Sequence, residues 1–390
     1  MIDFTLTEND EKILTAVRAE ALVCRNYARY YDEHEEEFAP DELPEAKDFK
    51  NPFAYLAGRG DLDTSMGVMS MLISAGQTWG DYTVRMRRGT GGLGNAALRA
   101  SGSAEQQKRW GDKTLAMAIT EPGCGSDSKA VQTTAVLDGD EWVLNGEKIF
   151  VTTGCRAEGV VVWATIDKAA GRAGIKSFIV MKGTPGFEVT HKEKKLGIRA
   201  DDTAAYVFRD CRIPRDHLLG GDEKVARQGG GGFKGVMKTF NMTRPAVAAI
   251  GLGIAQAALD FTKEALAKEG VEVDWSAGPH ARSAIQQQLV EIEADIEAAM
   301  LDVLHATWLS GEAKPNNLEA SIAKAKGGEI SRTATQRCIA ILGSMGISQE
   351  FLLEKWFRDC RITDIYEGTG QIQRLIIARE ILGYSAAQLS

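Results

Sequence analysis

The sequence predicts an α+β chain of several domains: an N-terminal helical domain, a middle antiparallel β domain and a C-terminal four-helix bundle. Three observations carry this. Apolar residues recur at three- and four-residue steps near the N-terminus and again from Phe233 to the end. From about Leu115 the character changes, with Val, Thr, Trp and Phe common and turn dipeptides at short intervals. The 390 residues suffice for two or three domains or layers. The boundaries expected are 1–115, 116–228 and 229–390.

The first helix runs from Thr7, a plausible N-cap, to about Asp32, with Ile13, Leu14, Val17, Ala21 and Leu22 at helical steps. The acidic run Asp32 to Glu37 reads as a solvated face or loop, and Pro40 and Pro44 break the pattern. Ser65 to Ala75 is a second apolar helix, rich in methionine, whose simplest role is core packing. Gly89-Thr90-Gly91-Gly92-Leu93-Gly94 matches G-x-G-x-x-G, but helical patterns flank it, so a helix connection is expected rather than a dinucleotide turn. Ala96 to Trp110 is a further helix.

The β domain is expected from about Leu115 to Asp222. Thr133–Leu137, Glu141–Leu144 and Ile149–Thr152 read as strands separated by turns at Asp138-Gly139 and Asn145-Gly146. Gly159–Thr165, Ser177–Met181, Phe187–Thr190 and Ala204–Arg209 continue the set, with no helical crossover between them. The glycines 229–232 lack the Gly-Lys-Ser/Thr ending of a phosphate loop and read as a hinge. Long helices follow from Pro245 to Lys268, from Arg282 to about Leu309, and from a capping box at Asn316–Glu319 to about Leu342. Glu350 to Arg358 and Ile372 to Ile381 are shorter, and together they argue for an antiparallel bundle.

Composition is that of an ordinary soluble globular protein, 44% hydrophobic and 26% charged. The net charge of −8 disfavours nucleic acid or an anionic membrane as partner. No apolar run has the length of a membrane span, and the start of the chain lacks a signal-peptide pattern. Six scattered cysteines form no C-x-x-C pair, and with five histidines no metal site is expected; reduced thiols in a cytoplasmic protein is the reading.

The stretch with most chemistry is Tyr366-Glu367-Gly368-Thr369-Gly370-Gln371-Ile372-Gln373-Arg374. Thr369 is a fair N-cap for the last helix, which places Glu367 on a turn ahead of it. A glutamate held there is a candidate general base; alone, it reads equally as a surface glutamate in a capping turn. Ala118-Ile119-Thr120-Glu121-Pro122-Gly123-Cys124-Gly125-Ser126-Asp127 offers glycines for close approach of a flat or phosphorylated ligand, and hydroxyls at Thr120 and Ser126. Asn145-Gly146-Glu147-Lys148-Ile149-Phe150-Val151-Thr152 sets an aromatic two places before a threonine, and Phe240-Asn241-Met242-Thr243-Arg244-Pro245 opens a helix.

These four stretches, with Leu196-Gly197-Ile198-Arg199 and Phe208 to Pro214, resemble the acyl-CoA dehydrogenase family over about residues 7 to 383. The resemblance implies FAD as cofactor, an acyl-CoA substrate, an electron-transferring flavoprotein as acceptor and a homotetramer or homodimer. It implies α,β-dehydrogenation to the trans-2-enoyl thioester, with Glu367 as base and hydride transfer to flavin N5. Ile119, Thr120, Gly125, Ser126, Phe150, Val151, Thr152, Thr369 and Gln371 are the implied flavin contacts; Ser126, Asn241, Arg244, Gly368 and Arg379 the implied substrate contacts. Some family members carry the base at the position of Thr243, which cannot serve as one.

The chain departs from the family in four places, the first being Asn241 where Asp is usual. Phe150 stands where Trp is usual. Lys268-Glu269-Gly270-Val271-Glu272 lacks the usual Arg, and Ala340-Ile341-Leu342-Gly343-Ser344 lacks the usual Gln. Both losses fall on contacts to the FAD of the neighbouring subunit, so looser FAD retention is expected, with Arg282 a possible substitute. A flavin oxidase or an acyl-carrier-protein dehydrogenase on the same scaffold, and a redox-silent flavoprotein acting as a binding module, are the alternatives.

Overall fold

The computed structural model describes residues 4–37, 65–82, 92–225, 231–384 and 388, with the backbone alone for Lys129 and residues 231–242. The chain folds into two compact units. One comprises Met1–Arg88, Leu196–Ala200 and Asn241–Ser390; the other Gly89–Lys195 and Asp201–Phe240. Pro40, Pro44 and the glycines 89, 91, 229 and 230 lie outside the described residues.

In the first unit, α1 spans Glu8–Glu33 and starts as the sequence predicts. The Thr7 hydroxyl accepts from the Asp10 N–H at 3.2 Å, and the Asp10 carboxylate accepts from the Thr7 N–H at 3.1 Å. α2 is longer than its apolar run, Met66–Gly80. The acidic run after α1 is not simply solvated. Asp32 is buried and accepts from Arg358 at 2.5 Å, and Glu35 pairs with Arg199 at 3.2 Å.

The next helix of this unit is numbered after two in the sheet unit, α3 (Leu93–Ser101) and α4 (Ala104–Trp110). These replace the single helix expected over 96–110. Gly102 ends α3, and Ser103 opens α4 with its own capping box to Gln106. The bundle holds α5 (Gly231–Lys268), α6 (Ala284–Gly311) and α7 (Asn317–Leu342), then the short α8 (Ser344–Ile347), α9 (Leu353–Cys360) and α10 (Gly370–Leu382). Gly231 and Gly232 are therefore helical rather than part of a hinge. Asn316 precedes α7 without capping it by its side chain, because its amide donates to the Ala306 carbonyl instead. The segment Thr243–Lys268 is long and apolar enough to cross a membrane, yet most of it is buried here: it is the core helix of the bundle. Its alanines meet Leu289, Ile292, Ala320 and Ala323 of the neighbouring helices.

The second unit is built on a seven-stranded sheet, ordered β1-β4-β2-β3-β7-β6, with β5 also paired to β4. The strands are β1 (Leu115–Ala118), β2 (Thr134–Asp138), β3 (Glu141–Thr152), β4 (Gly159–Thr165), β5 (Ile175–Met181), β6 (Phe187–Lys192) and β7 (Thr203–Pro214). Most pairings are antiparallel; β4 runs parallel to β1 and to the start of β2. β4 reads Gly-Val-Val-Val-Trp-Ala-Thr because both of its faces are covered. Val160 and Val162 join a core with Trp142, Phe178 and Phe208, while Val161 and Trp163 join another with Leu98 and Trp110.

Asn145-Gly146 does not turn the chain: β3 runs straight through it. The pairing with β7 slips there instead, between Leu144 and Gly146. A side chain at 146 would come within 2.5 Å of the Thr133 hydroxyl, so only glycine fits. The Asn145 side chain grips Asp210 across the slip, accepting from its N–H at 2.8 Å.

Candidate active site

In the sheet unit, Phe150 is set by a second slip in β3. Lys148 pairs with Tyr206 and Val151 with Ala204, so two residues of β3 face one of β7. Inward side chains at Trp142, Leu144 and Lys148 would put Phe150 inward as well by simple alternation. The bulge reverses this: Val151 points into the core at 1% exposure, and Phe150 stands out at 58% with a left-handed backbone, φ +56°. That conformation is costly for an aromatic residue and gives an outward ring no packing of its own. Val151 offers its backbone only, and Thr152 pairs with Thr203.

The loop after β1 is held from beneath. Glu121 is buried, and its carboxylate accepts from Lys148 Nζ at 2.8 Å, the Thr133 hydroxyl at 2.6 Å and N–H at 2.9 Å, and the Gln132 N–H at 2.7 Å. Burial opposes its ionisation, but the Lys148 charge and these hydrogen bonds outweigh it and hold the carboxyl below its ordinary value. Lys148, fully buried, also donates to the Ile119 carbonyl at 2.9 Å, and Ile149 donates its N–H to Thr120 at 2.9 Å. Loop and bulged strand are thus tied together. Gly123 and Gly125 face open space, where an added side chain would meet nothing within 4 Å, and Ser126 is exposed.

In the helical unit, Glu367 sits where the sequence places it, on the turn before α10. The turn Arg361–Asp364 leads in, pinned to α7 by a buried contact of Thr363 with Ser331 at 3.0 Å. Tyr366 meets the hydroxyl of Tyr82 at 3.1 Å. Thr369 caps α10, accepting from the Ile372 N–H at 3.3 Å. Glu367 has a left-handed backbone, φ +56°, and Gly368 follows at φ +93°. A side chain at 368 would also strike the Gln373 amide at 2.4 Å. Gln373 is fully buried and donates to the carbonyls of Glu367 and Gly368 at 3.3 and 3.2 Å. The turn thus rests on Gln373, whose signal in the sequence is the four-residue step from the cap at Thr369.

The carboxylate of Glu367 accepts from the Thr243 hydroxyl at 2.9 Å. Thr243, which has no carboxylate of its own, is thus the hydrogen-bond partner of the candidate base. Burial pushes the Glu367 carboxyl above its ordinary value, countered by the Thr243 hydrogen bond and by the charges of Arg244 and Lys324. Arg244 is itself buried and donates to Asn317 and Ser321 at 3.2 and 3.5 Å, so its guanidinium is engaged inside the bundle. The side chain of Asn241 lies outside the described residues. Arg379 is partly exposed on α10, and Arg282 is partly exposed after the turn Pro279–Ala281.

Residues 116–211 match the model of the acyl-CoA dehydrogenase middle domain, and residues 230–382 that of the acyl-CoA dehydrogenase C-terminal domain. The chain is 35% identical over 386 residues to the mitochondrial short-chain specific acyl-CoA dehydrogenase of Rattus norvegicus, covering 92% of this chain and 88% of the relative. It is also 35% identical over 294 residues to an acryloyl-CoA reductase (NADH) of Anaerotignum propionicum, covering 73% and 72%. Among solved structures, butyryl-CoA dehydrogenase from Megasphaera elsdenii superposes with a TM-score of 0.81 at 30% identity, covering 98% of this chain and 100% of that one. The chain belongs to the acyl-CoA dehydrogenase family.

The dehydrogenase is an oxidoreductase and a flavoprotein by class. Its residues fit a flavin. An outward aromatic ring on a rigid bulge, glycines open to space and free-standing hydroxyls at Thr120 and Ser126 make a wall for a flat, polar-edged ligand. FAD, when bound, supplies the acceptor for a hydride.

Proposed function

We propose that this dehydrogenase oxidises an acyl-CoA thioester to its trans-2-enoyl-CoA, with Glu367 taking the α-proton as the β-hydrogen leaves with its electron pair to FAD. The observation that carries this is the setting of Glu367: a strained, partly exposed turn residue with a raised pKa, held by Thr243 at one oxygen. A carboxylate so desolvated is a stronger base than one in water. The other carboxylate oxygen is left to receive the proton. Weakly acidic α-protons need a donor at the thioester oxygen as charge develops, and the N–H of Glu367 is the one the family resemblance supplies. Phe150, Thr120 and Ser126 hold the flavin ring; Ser126, Gly368, Asn241, Arg244 and Arg379 are assigned to the substrate, Arg244 by positioning Asn317 and Ser321.

Anaerobic titration with straight and branched acyl-CoA thioesters of graded length tests this. The flavin should bleach with one class and reoxidise slowly in air but rapidly with an electron-transferring flavoprotein. Fast reoxidation in air would mean an oxidase. A flavin that no thioester bleaches would overturn the reading. The apolar side chains Leu301, Leu375, Ile381 and Leu382, all more than half exposed, support the assembly into a homotetramer or homodimer that the resemblance implies. A monomer in sedimentation at micromolar concentration would refute it.

A further inference from the structure

One buried charge behind the Glu367 turn touches neither substrate nor flavin in that assignment. Lys324, in the middle of α7, is 0% exposed. Its ammonium has no hydrogen-bond partner among the described residues. Lysine is almost never fully buried unless paired, and an unpaired one costs stability for as long as it is charged. Lys326, two residues on, has a side chain 55% exposed.

The surroundings of Lys324 are those of the base. One turn before it on α7, Ser321 receives Arg244. One turn after it, Gly328 packs on Asp364, whose Cα a side chain at 328 would approach to 3.0 Å. Asp364 Oδ1 is likewise buried without a hydrogen-bond partner among the described residues, and it lies against the first residue of α10, 2.4 Å from where a Gly370 side chain would begin. The charges acting on Lys324 are Asp364 and Glu367, which favour its ammonium, and Arg244, which opposes it. Several other charges around α7 are engaged elsewhere. Arg374 of α10 pairs with Glu329, Glu291 and Asp295 of α6 with Arg337, and Asp302 of α6 acts on Lys326.

We propose that Lys324 is a positioning residue for the base: its buried, unshared ammonium draws the Asp364–Glu367 turn onto α7 and, with Arg244, keeps the Glu367 carboxylate ionised at working pH. This rests on Glu367 being the base. A positive charge left without a direct partner acts on both carboxylates at once, whereas a tight ion pair with either would spend it on that one. Burial pushes Lys324 down to about 8, against the pull of the two carboxylates, so the ammonium persists through neutral pH and is lost above it.

The test is Lys324→Met in the full-length, FAD-loaded chain, with Lys324→Gln as the second neutral variant should Met disturb packing. With the charge gone, Glu367 is protonated to higher pH. The rate of flavin reduction should fall about tenfold on the acid side, recover to within about twofold at alkaline pH, and leave acyl-CoA affinity unchanged. A companion measurement needs no substrate. Glu367→Gln removes a group whose folded pKa lies above its ordinary 4.5, so the melting temperature of Glu367→Gln minus that of wild type grows with pH and levels off at the folded pKa. Adding Lys324→Met to both chains should move that levelling-off to higher pH. If the acid limb and the levelling-off both stay put in a cooperatively melting variant, Lys324 is only a buried structural lysine and the proposal is wrong. If the levelling-off moves but no thioester bleaches the wild-type flavin, the electrostatic proposal stands and the assigned reaction falls.

Discussion

Phe150 and Glu367 have the same backbone peculiarity for opposite reasons. Each is a non-glycine residue with φ +56°, one in the sheet unit and one in the helical unit. At Phe150 the strain comes from strand pairing: β3 carries one residue too many for β7, and the surplus turns an aromatic ring outward. At Glu367 it comes from two turns in series, one pinned by Thr363 and Ser331, the other capped by Thr369, which leave one residue to absorb the change of direction. The sheet spends strain on exposing an apolar group; the bundle spends it on enclosing a charged one. The first needs a rigid strand beneath it, the second a field around it.

Substitutions separate the two. The largest effect expected is at Glu367→Gln, which should slow flavin reduction by on the order of 10²–10⁴-fold while leaving FAD and acyl-CoA bound; stopped-flow reduction near the wild-type rate would show that the enclosed carboxylate is not the base. Next is Lys148→Met beneath the glycine-bearing loop after β1, which leaves Glu121 buried without its counter-charge and should cost about 3–5 kcal/mol of stability. Denaturant melts check this, and a cost near zero would mean the Glu121 hydrogen bonds alone hold the loop. Phe150→Gly should behave in the contrary way. Glycine relieves the left-handed strain as it loosens the strand, so stability should stay within about 1 kcal/mol while FAD affinity, followed by fluorescence titration, weakens. A clear loss of stability with FAD affinity intact would make the ring a packing group after all. The smallest effect is at Thr243→Val. It removes the hydrogen bond that lowers the Glu367 pKa, so Glu367 is protonated to higher pH and, if it is the base, the rate falls severalfold at the acid end only. An equal loss at every pH would assign Thr243 to packing.

Local signals were the legible ones. Thr7, Thr369 and the segment around Glu367 follow from capping chemistry and motif, and the structure forms all three caps and turns where these rules put them. The resemblance made Phe150 legible as a ligand contact, but the bulge that turns its ring outward was not legible, because it depends on a register with β7 some fifty residues away. Asn145-Gly146 misled in the same way: a good hairpin dipeptide served a slip in a continuous strand. Lys324 was hidden by composition, being one of two lysines in Ala323-Lys324-Ala325-Lys326. Its phase with the buried Ala320, Gly327 and Ser331 at helical steps was the available signal. What could not be read is charge placed without a partner, since patterns in sequence mark pairs and faces rather than fields.

The five residues Leu196–Ala200 carry a consequence for how the chain is made. They lie between β6 and β7 in sequence yet belong to the helical unit, where the Ile198 N–H donates to Asp359 at 2.6 Å across 161 positions. Asp359 in turn shares the buried Lys355 with Asp81. A nascent chain can therefore complete the β6–β7 hairpin long before the acceptor of its connecting loop leaves the ribosome, a wait on the order of ten seconds at ordinary elongation rates. During that interval Arg199 can already reach Glu35 in the N-terminal segment, while the Ile198 N–H waits for Asp359, so the loop is anchored to the helical unit in two stages.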